Sequence, residues 1–547
     1  MRIVIIGAVA AGTSAAAKAR RNDETAEIII YERDHFISYS GCGMPYYIGG
    51  EIEQAKELTP RDEAFFRKKY NVDVKTSHEV LKINPKEKTV LVKKLSTGEI
   101  ITDSYDKLVI ATGARASIPP IGGIDRENVF TLRNINDMNA MKAFLTEQKP
   151  EQAVIIGSGF IGLEVCENLK ALGIQVTLVE RLPQVTPGLD PDMAVYVQEH
   201  LQKKGVAVIT NATATDITDI GVHLADGRVI AADFILLSVG VKPNIDLAKE
   251  AGIEIGITGA IKVDEQMRTN QEDIYACGDC IEHTHLVTGK PIYRPLGSTA
   301  NKTGRIAGDS LTGGDLTFRG ILGTGIFKVF DLTVGQTGLS EREAKEMGFD
   351  TVICHNIKPD KPEYMGGKEM VIKAIADQRG KLLGVQIVGY QGVDKRLDVF
   401  VTAITFGAKA EDLFHLDLAY APPFSTTKDP VMYTGMILEN AIHRGRPLIT
   451  AQDLDDLIHS DQDYVLIDAR ESSQYEKAHI ESAQNLPHSN LREALDDVKK
   501  DVIAVTYCNK GVTGNAAQNI LLHHGYDKVY NLSGGHKQYS NTLKSKQ

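Results

Sequence analysis

The chain has 547 residues, a net charge of −11 at pH 7 and a pI near 5.8. That length implies several domains, and the acidic balance argues against nucleic acid as a partner while leaving room for a local basic pocket. Six cysteines are too few for a disulfide framework, and their spacing gives no paired zinc knuckles, so no metal is expected.

No long apolar run predicts a membrane helix, and Met1 leads into an apolar strand rather than a secretory leader. The expected compartment is the reducing cytoplasm.

Residues 2 to 6 read as a buried strand. Gly7-Ala-Val9-Ala10-Ala-Gly12 follows, then an Ala-rich helix to about Arg21, then a strand from Ala26 to Tyr31 that ends at Glu32. This is a βαβ dinucleotide fingerprint with Val9 in place of the middle glycine. Gly7 permits the tight turn and Gly12 the close approach of helix and strand. The helix start offers N–H groups to a pyrophosphate. Glu32 stands where a carboxylate holds a ribose hydroxyl.

Cys42 comes next, alone in Ser38-Tyr-Ser-Gly-Cys42-Gly-Met-Pro-Tyr-Tyr47, with no second cysteine within five residues. It cannot store electrons as a disulfide with a close neighbour. Its oxidised forms are a mixed disulfide with an outside thiol, a sulfenate or a persulfide.

Tyr105 to Gly113 reads as a strand closing on Thr112-Gly113. Ala153 to Ile156 leads into Gly157-Ser-Gly159-Phe160-Ile-Gly162, with Glu164 next, a helix to Leu172, and a strand from Gln175 to Val179 ending at Glu180. This second fingerprint is complete and in its proper strand–turn–helix context. Glu180 suits the unphosphorylated ribose of NADH, and Arg181 leaves NADPH open. Gly240 joins the expected cofactor-binding set. Ile274 to Asp279 ends in Gly278-Asp279, whose carboxylate suits a ribityl hydroxyl of FAD. Cys277 and Cys280 form a CxxC with no second ligand pair, which argues against a redox or metal role. Two nucleotide folds, the second nested in the first, imply electron flow from nicotinamide to flavin to Cys42.

Over about residues 1 to 445 these motifs resemble the pyridine nucleotide-disulfide oxidoreductases, and within them the single-cysteine branch of coenzyme A-disulfide reductases, NADH oxidases and NADH peroxidases. The oxidase and peroxidase members carry a His where this chain has Ala10. The runs from Cys42 to Gly50, Arg294 to Lys302 and Tyr420 to Lys428 are similar to the coenzyme A-disulfide reductase pattern. The resemblance implies a homodimer in which Tyr364 and Tyr420 of the neighbouring subunit flank the thiol. It implies a coenzyme A cleft using Lys18, Arg21, Ser38, Asn301 and Lys428, and Phe160 as the gate of the nicotinamide pocket. Cys166 and Cys354 read as packing residues.

After Gly445 the pattern changes. Val465 to Arg470 reads as strand and turn. Asp501 to Tyr507 reads as a strand ending at Cys508, with a loop to Gly514 and a helix from about Asn515. Residues 450 to 545 resemble a rhodanese domain, and Cys508 matches its sulfur-carrying cysteine. The family loop often carries an arginine where this chain has Val512-Thr513-Gly514, so thiosulfate is a doubtful donor and Lys510 is the nearest replacement charge. A Cys-loop phosphatase needs arginine at the Gly514 position, which argues against that class.

The expected fold is α/β: two nested Rossmann-like dinucleotide-binding domains, an α+β dimerisation domain and a C-terminal α/β rhodanese domain. The expected spans are 1–148 with 277–320 for FAD, 149–276 for NAD(P)H, 321–445 for dimerisation and 450–547 for the rhodanese module. The expected function is flavin-dependent NAD(P)H reduction of a coenzyme A disulfide, persulfide or polysulfide. The competing readings are an NADH oxidase or peroxidase, and a non-catalytic redox sensor or sulfur carrier.

Overall fold

A computed structural model describes residues 1–544. The backbone divides into two compact units, Met1–Arg181 with Ala212–Gly323, and Leu182–Asn211 with Thr324–Gln547.

The first unit holds two parallel sheets. One runs Ile274–Ala276, Lys107–Ile110, Arg2–Ile6, Glu27–Tyr31, Asp73–Lys75 in spatial order. The other contains Gln175–Val179, Gln152–Ile156, Phe234–Leu237 and Val129–Phe130. Ile3, Val4 and Ile5 are fully buried, as a parallel strand covered on both faces requires.

The helix Ala11–Asn22 is alanine-rich because another helix, Gly297–Ser310, lies directly on it. A Cβ on Gly304 would run into the Ala11 carbonyl, and one on Gly308 into that of Ala15. Small residues on both helices allow this approach.

The second unit joins two layered parts. An antiparallel sheet runs Gly325–Val329, Leu332–Gly338, Leu382–Gly389, Glu369–Asp377, Thr351–Pro359, with helices Val393–Thr405 and Pro430–His443. This is the expected α+β part. A fully parallel sheet follows, in the order Leu448–Ile449, Val529–Leu532, Ile503–Tyr507, Tyr464–Asp468, Gln484–Asn485. The strand before Cys508 starts at Ile503 rather than Asp501. The helix after it starts at Val512 rather than Asn515, because Gly511, in the left-handed region at φ 98°, turns the chain early.

A buried charge cluster ties this unit together. Lys373 Nζ lies 2.8 Å from Asp192 Oδ1, 3.2 Å from Asp190 Oδ2 and 2.6 Å from Glu341 Oε2. His355 Nε2 lies 2.7 Å from Asp192 Oδ2, and its backbone N–H donates to Ser533 Oγ at 2.7 Å. His355 therefore joins the antiparallel sheet to the C-terminal module.

Among the described residues no helix is long and apolar enough to cross a membrane.

Candidate active site and sulfur site

In the first unit a cleft of about 670 Å³ is lined by Gly7, Val9, Glu32, Thr112, Gly113 and Asp279, among others. Gly7 must be glycine: φ is 105°, and a Cβ there would strike the Ala111 carbonyl. Gly12 is equally crowded, against the Gly7 carbonyl. No side chain caps the start of helix Ala11–Asn22, so its first amides keep their capacity for an anion.

Glu32 is buried at the end of its strand and accepts from the N–H groups of Ala8 at 2.8 Å and Asp34 at 3.0 Å. Burial pushes its pKa up, opposed by those two amides. At the other end, Asp279 accepts from Arg133 Nη2 at 2.7 Å, on a turn where Gly278 has φ 83°. The Glu32 and Asp279 carboxylates can accept from hydroxyls and the uncapped helix start can donate to a pyrophosphate, so these residues fit FAD. Thr112 and Asn244 exchange hydrogen bonds of 2.7 and 2.8 Å, bracing the wall beside Gly113.

Cys42 sits in the short turn Gly41–Gly43, followed by the helix Met44–Gly49. That helix lies so close to the helix Phe160–Ala171 that a Cβ on Gly49 would collide with the Asn168 side chain. The packing brings the thiol near Glu164. Cys42 is solvent-exposed, yet the crowding around it still counts: desolvation comes first in raising its pKa, and the Glu164 carboxylate second. Arg133 pulls the other way. Arg133 and Asp279 both line the cleft, and both act on the charge of the thiol.

Glu164 itself is pushed up to about 7, chiefly by burial and then by Glu167. Sequence reading passed over Arg133, which has no motif. It also passed over the role of Glu164, whose signal was a carboxylate two residues after the last fingerprint glycine in an otherwise apolar run. Glu164→Gln removes a charge that opposes the thiolate, so the Cys42 pKa is expected to fall. The effect grows above pH 7, where Glu164 is ionised. The pH profile of iodoacetamide alkylation at the Cys42 peptide reads this, and an unmoved or rising midpoint contradicts it.

In the second fingerprint, Glu180 accepts from Ser158 N–H at 2.9 Å and Ser158 Oγ at 2.6 Å. Gly157 has φ 102°, and a Cβ on Gly162 would meet the Gly157 carbonyl. Space is open beside Gly159 and Gly240. Phe160 begins the helix, and Arg181 is exposed.

The expected coenzyme A residues are dispersed in their engagements. Lys18 is 2.9 Å from Asp309, so its charge is already met, whereas Arg21 is exposed over the Tyr70 ring. Asn301 accepts from Ser14 Oγ at 2.7 Å, and Ser38 holds φ 47° in the turn toward Cys42. Tyr364 and Tyr420 lie in the second unit and are 76% and 48% exposed. Lys428 lies 5.8 Å from the Tyr433 ring centre.

Cys166 and Cys354 are fully buried, and burial pushes Cys166 up to about 12. Cys280 donates to the Cys277 carbonyl at 3.2 Å and is likewise buried.

Cys508 closes the strand Ile503–Tyr507. The Gly511 N–H donates to its sulfur at 3.2 Å, at the uncapped start of helix Val512–His523. The His536 N–H holds the Cys508 carbonyl at 2.8 Å. A cleft of about 510 Å³ opens at this sulfur. Lys510, the expected replacement for the loop arginine, is paired with Glu369.

The pyridine nucleotide-disulphide oxidoreductase pattern matches residues 1–295, its dimerisation domain residues 325–430, and the rhodanese-like domain residues 450–542. Reduced Bacillus anthracis CoADR-RHD is similar in structure, with 39% identity and a TM-score of 0.97 over 99% of this chain and 98% of that one. So is an NAD-dependent persulfide reductase from A. fulgidus, with 40% identity and a TM-score of 0.90 over 98% and 100%. Two curated relatives are each 36% identical. An NADH oxidase of Methanocaldococcus jannaschii covers 79% of this chain and 97% of its own length. A CoA-dependent NAD(P)H sulfur oxidoreductase of Pyrococcus furiosus covers 80% and 99%.

Proposed function

Because the chain belongs to the pyridine nucleotide-disulphide oxidoreductase family, we propose that it is a flavin-dependent NAD(P)H reductase of coenzyme A persulfide, polysulfide or disulfide. The observation that carries this reading is the lone exposed Cys42 thiol, acted on by Arg133 and Asp279 of the cleft wall, in a chain that also holds a rhodanese-like domain.

The Cys42 thiolate attacks one sulfur of a coenzyme A disulfide, the S–S bond breaks, one coenzyme A leaves as its thiolate and the other stays on Cys42 as a mixed disulfide. With a persulfide it attacks the sulfane sulfur, coenzyme A leaves, and the sulfur stays on Cys42. When bound, FAD would supply the electron pair from NAD(P)H that restores the Cys42 thiol, with release of the second coenzyme A from the mixed disulfide or of hydrosulfide from the persulfide. Arg133 steadies the thiolate, and Glu164 opposes it when ionised.

Glu32 and Asp279 hold hydroxyls of FAD, with Gly7, Val9, Gly12, Thr112, Gly113 and Gly278 shaping its cleft. Gly157, Gly159, Gly162, Glu180 and Gly240 receive the nicotinamide dinucleotide, gated by Phe160. The partner subunit's Tyr364 and Tyr420 flank the thiol, where a phenol donates a proton to the departing thiolate. Arg21, Ser38, Asn301 and Lys428 hold coenzyme A, with Lys18 fixed by Asp309. Cys508 carries sulfane sulfur to or from coenzyme A.

The molecule is a homodimer, which would cover Phe406 and Phe424, now 79% and 69% exposed. With every cysteine free, it works in the cytoplasm. The working spans stay 1–148 with 277–320, 149–276, 321–445 and 450–547.

Turnover with coenzyme A persulfide, coenzyme A disulfide, hydrogen peroxide and oxygen tests this. The persulfide is expected to give the highest kcat/KM. Dominant peroxide or oxygen turnover would refute the proposal in favour of an oxidase or peroxidase. Ala10, on the cleft wall, offers neither of those reactions an acid or base.

A further inference from the structure

The rhodanese-like cleft takes part of its wall from outside the rhodanese-like domain. Ile357, Lys358 and Pro359 of the antiparallel sheet line it together with Cys508, Lys510 and Arg470. Thr351–Pro359 is the edge strand of that sheet, so its end is free to form such a wall.

The docking has a visible cause. Glu369 pairs in register with Pro359, next to Lys358, and binds both Lys510 of the sulfur loop and Lys537 of the last helix. His355 holds Ser533 from the same strand. These ties set the Cys508 loop against the end of the strand.

The cations then sort themselves. The charge of Lys510 is met by Glu369. Arg470 is buried and committed to Asp468, with Nε 2.9 Å from Oδ1. Lys358 is different: among the described residues no carboxylate lies within ion-pair distance of it. Its Nζ stands 4.2 Å from the Tyr433 ring centre, and Lys428 approaches the same ring. Burial lowers its pKa first, and Lys510 and Lys428 lower it further, whereas Cys508 acts in the opposite sense. An ammonium on the wall of a cleft, with Lys510 on the same wall and no carboxylate partner of its own among the described residues, calls for an anion.

We propose that Lys358 completes the sulfur site from the dimerisation domain, binding the anionic group of a sulfane-sulfur donor so that its outer sulfur meets Cys508. The inference rests on the sulfur-carrier reading of Cys508. Lys358 takes the place of the missing loop arginine. The Cys508 thiolate attacks the sulfane sulfur, the donor's S–S bond breaks, a persulfide forms on Cys508, and the remainder leaves with the electron pair. That remainder is sulfite from thiosulfate, or a thiolate from an organic persulfide. Both donors share a negative charge beside a transferable sulfur. Lys358 is a positioning residue, since it sets the donor rather than reacting.

Alkylation of Cys508 tests the charge directly. The rate with anionic iodoacetate, divided by that with neutral iodoacetamide, is followed at the Cys508 peptide by mass spectrometry in the full-length protein. Lys358→Gln is expected to lower this ratio about tenfold, as one charge a few ångströms away does between surface and bulk dielectric values. Lys358→Arg restores it. In sulfur transfer to cyanide, Lys358→Gln raises the donor KM and leaves kcat within about twofold, as lost ground-state binding does. A KM rise confined to thiosulfate identifies an inorganic donor, and one confined to coenzyme A persulfide a phosphorylated donor; either supports the role.

An unchanged alkylation ratio in folded, FAD-loaded Lys358→Gln overturns this inference and leaves Cys508 as carrier. Sulfur transfer that survives Cys508→Ser overturns the carrier reading itself, and this inference with it.

Discussion

Cys42→Ser is expected to lose NAD(P)H-dependent reduction of coenzyme A persulfide and disulfide by about 10⁴-fold or more, the scale on which removal of a nucleophile acts. A hydroxyl is not ionised at neutral pH and does not attack sulfur. The other five cysteines cannot replace it. Cys166, Cys277, Cys280 and Cys354 are fully buried, and Cys508 is buried on the wall of a separate cleft. The loss should fall on kcat, because Arg133 and the cleft wall are untouched. Anaerobic mixing with NADH should still reduce the bound flavin, since the nucleotide sites keep their residues. Steady-state turnover and stopped-flow flavin absorbance together check this. A variant with most of its turnover intact would remove Cys42 from the reaction.

Lys373→Met is expected to cost about 3–5 kcal/mol, the range for breaking a buried ion pair on one side. The ammonium is buried among Asp190, Asp192 and Glu341, with His355 beside Asp192. Burial opposes every one of these charges, but mutual attraction wins: Asp192 and Glu341 are held below the ordinary carboxylate range, and Lys373 above its ordinary 10.5. Methionine would leave three carboxylates facing one another in a desolvated space.

The pH dependence follows in sign. Depressed carboxylates stabilise the fold above their unfolded values, near 4, and that support is lost as pH falls through the native values. The raised lysine contributes fully below 10.5 and is lost as pH rises through its native value. The melting deficit of Lys373→Met should therefore be largest near neutrality and shrink toward pH 4, where its unpaired carboxylates take up protons. Thermal unfolding across that range measures it. Because the chain has several domains, the midpoint of the second unit's transition is the quantity to compare. A deficit that is flat with pH would mean the cost is packing, not charge.

The site was legible wherever chemistry depends on neighbours in the chain. Gly7, Gly12 and Glu32 lie within one βαβ unit, and their spacing states the turn, the close packing and the carboxylate at once. The same holds from Gly157 to Glu180, and for Cys508 at a strand end before a helix. Charge was not legible in this way. Lys18 looked available for a phosphate until Asp309, far along the chain, was found 2.9 Å away. Lys510 looked like the cation of the sulfur loop until Glu369 claimed it. Lys358 carried no motif at all.

The amino-acid order alone thus determined the two glycine turns, the isolated Cys42 and the strand-end Cys508, because each is a local demand on backbone shape or residue type. Tertiary packing decided which charges stay unmet and which groups face each thiol. Glu164 and Arg133 come near Cys42, and Lys358 reaches the Cys508 cleft, only when distant elements close on one another. Electrostatic interaction depends on separation in space and on desolvation, and neither quantity is written in sequence spacing.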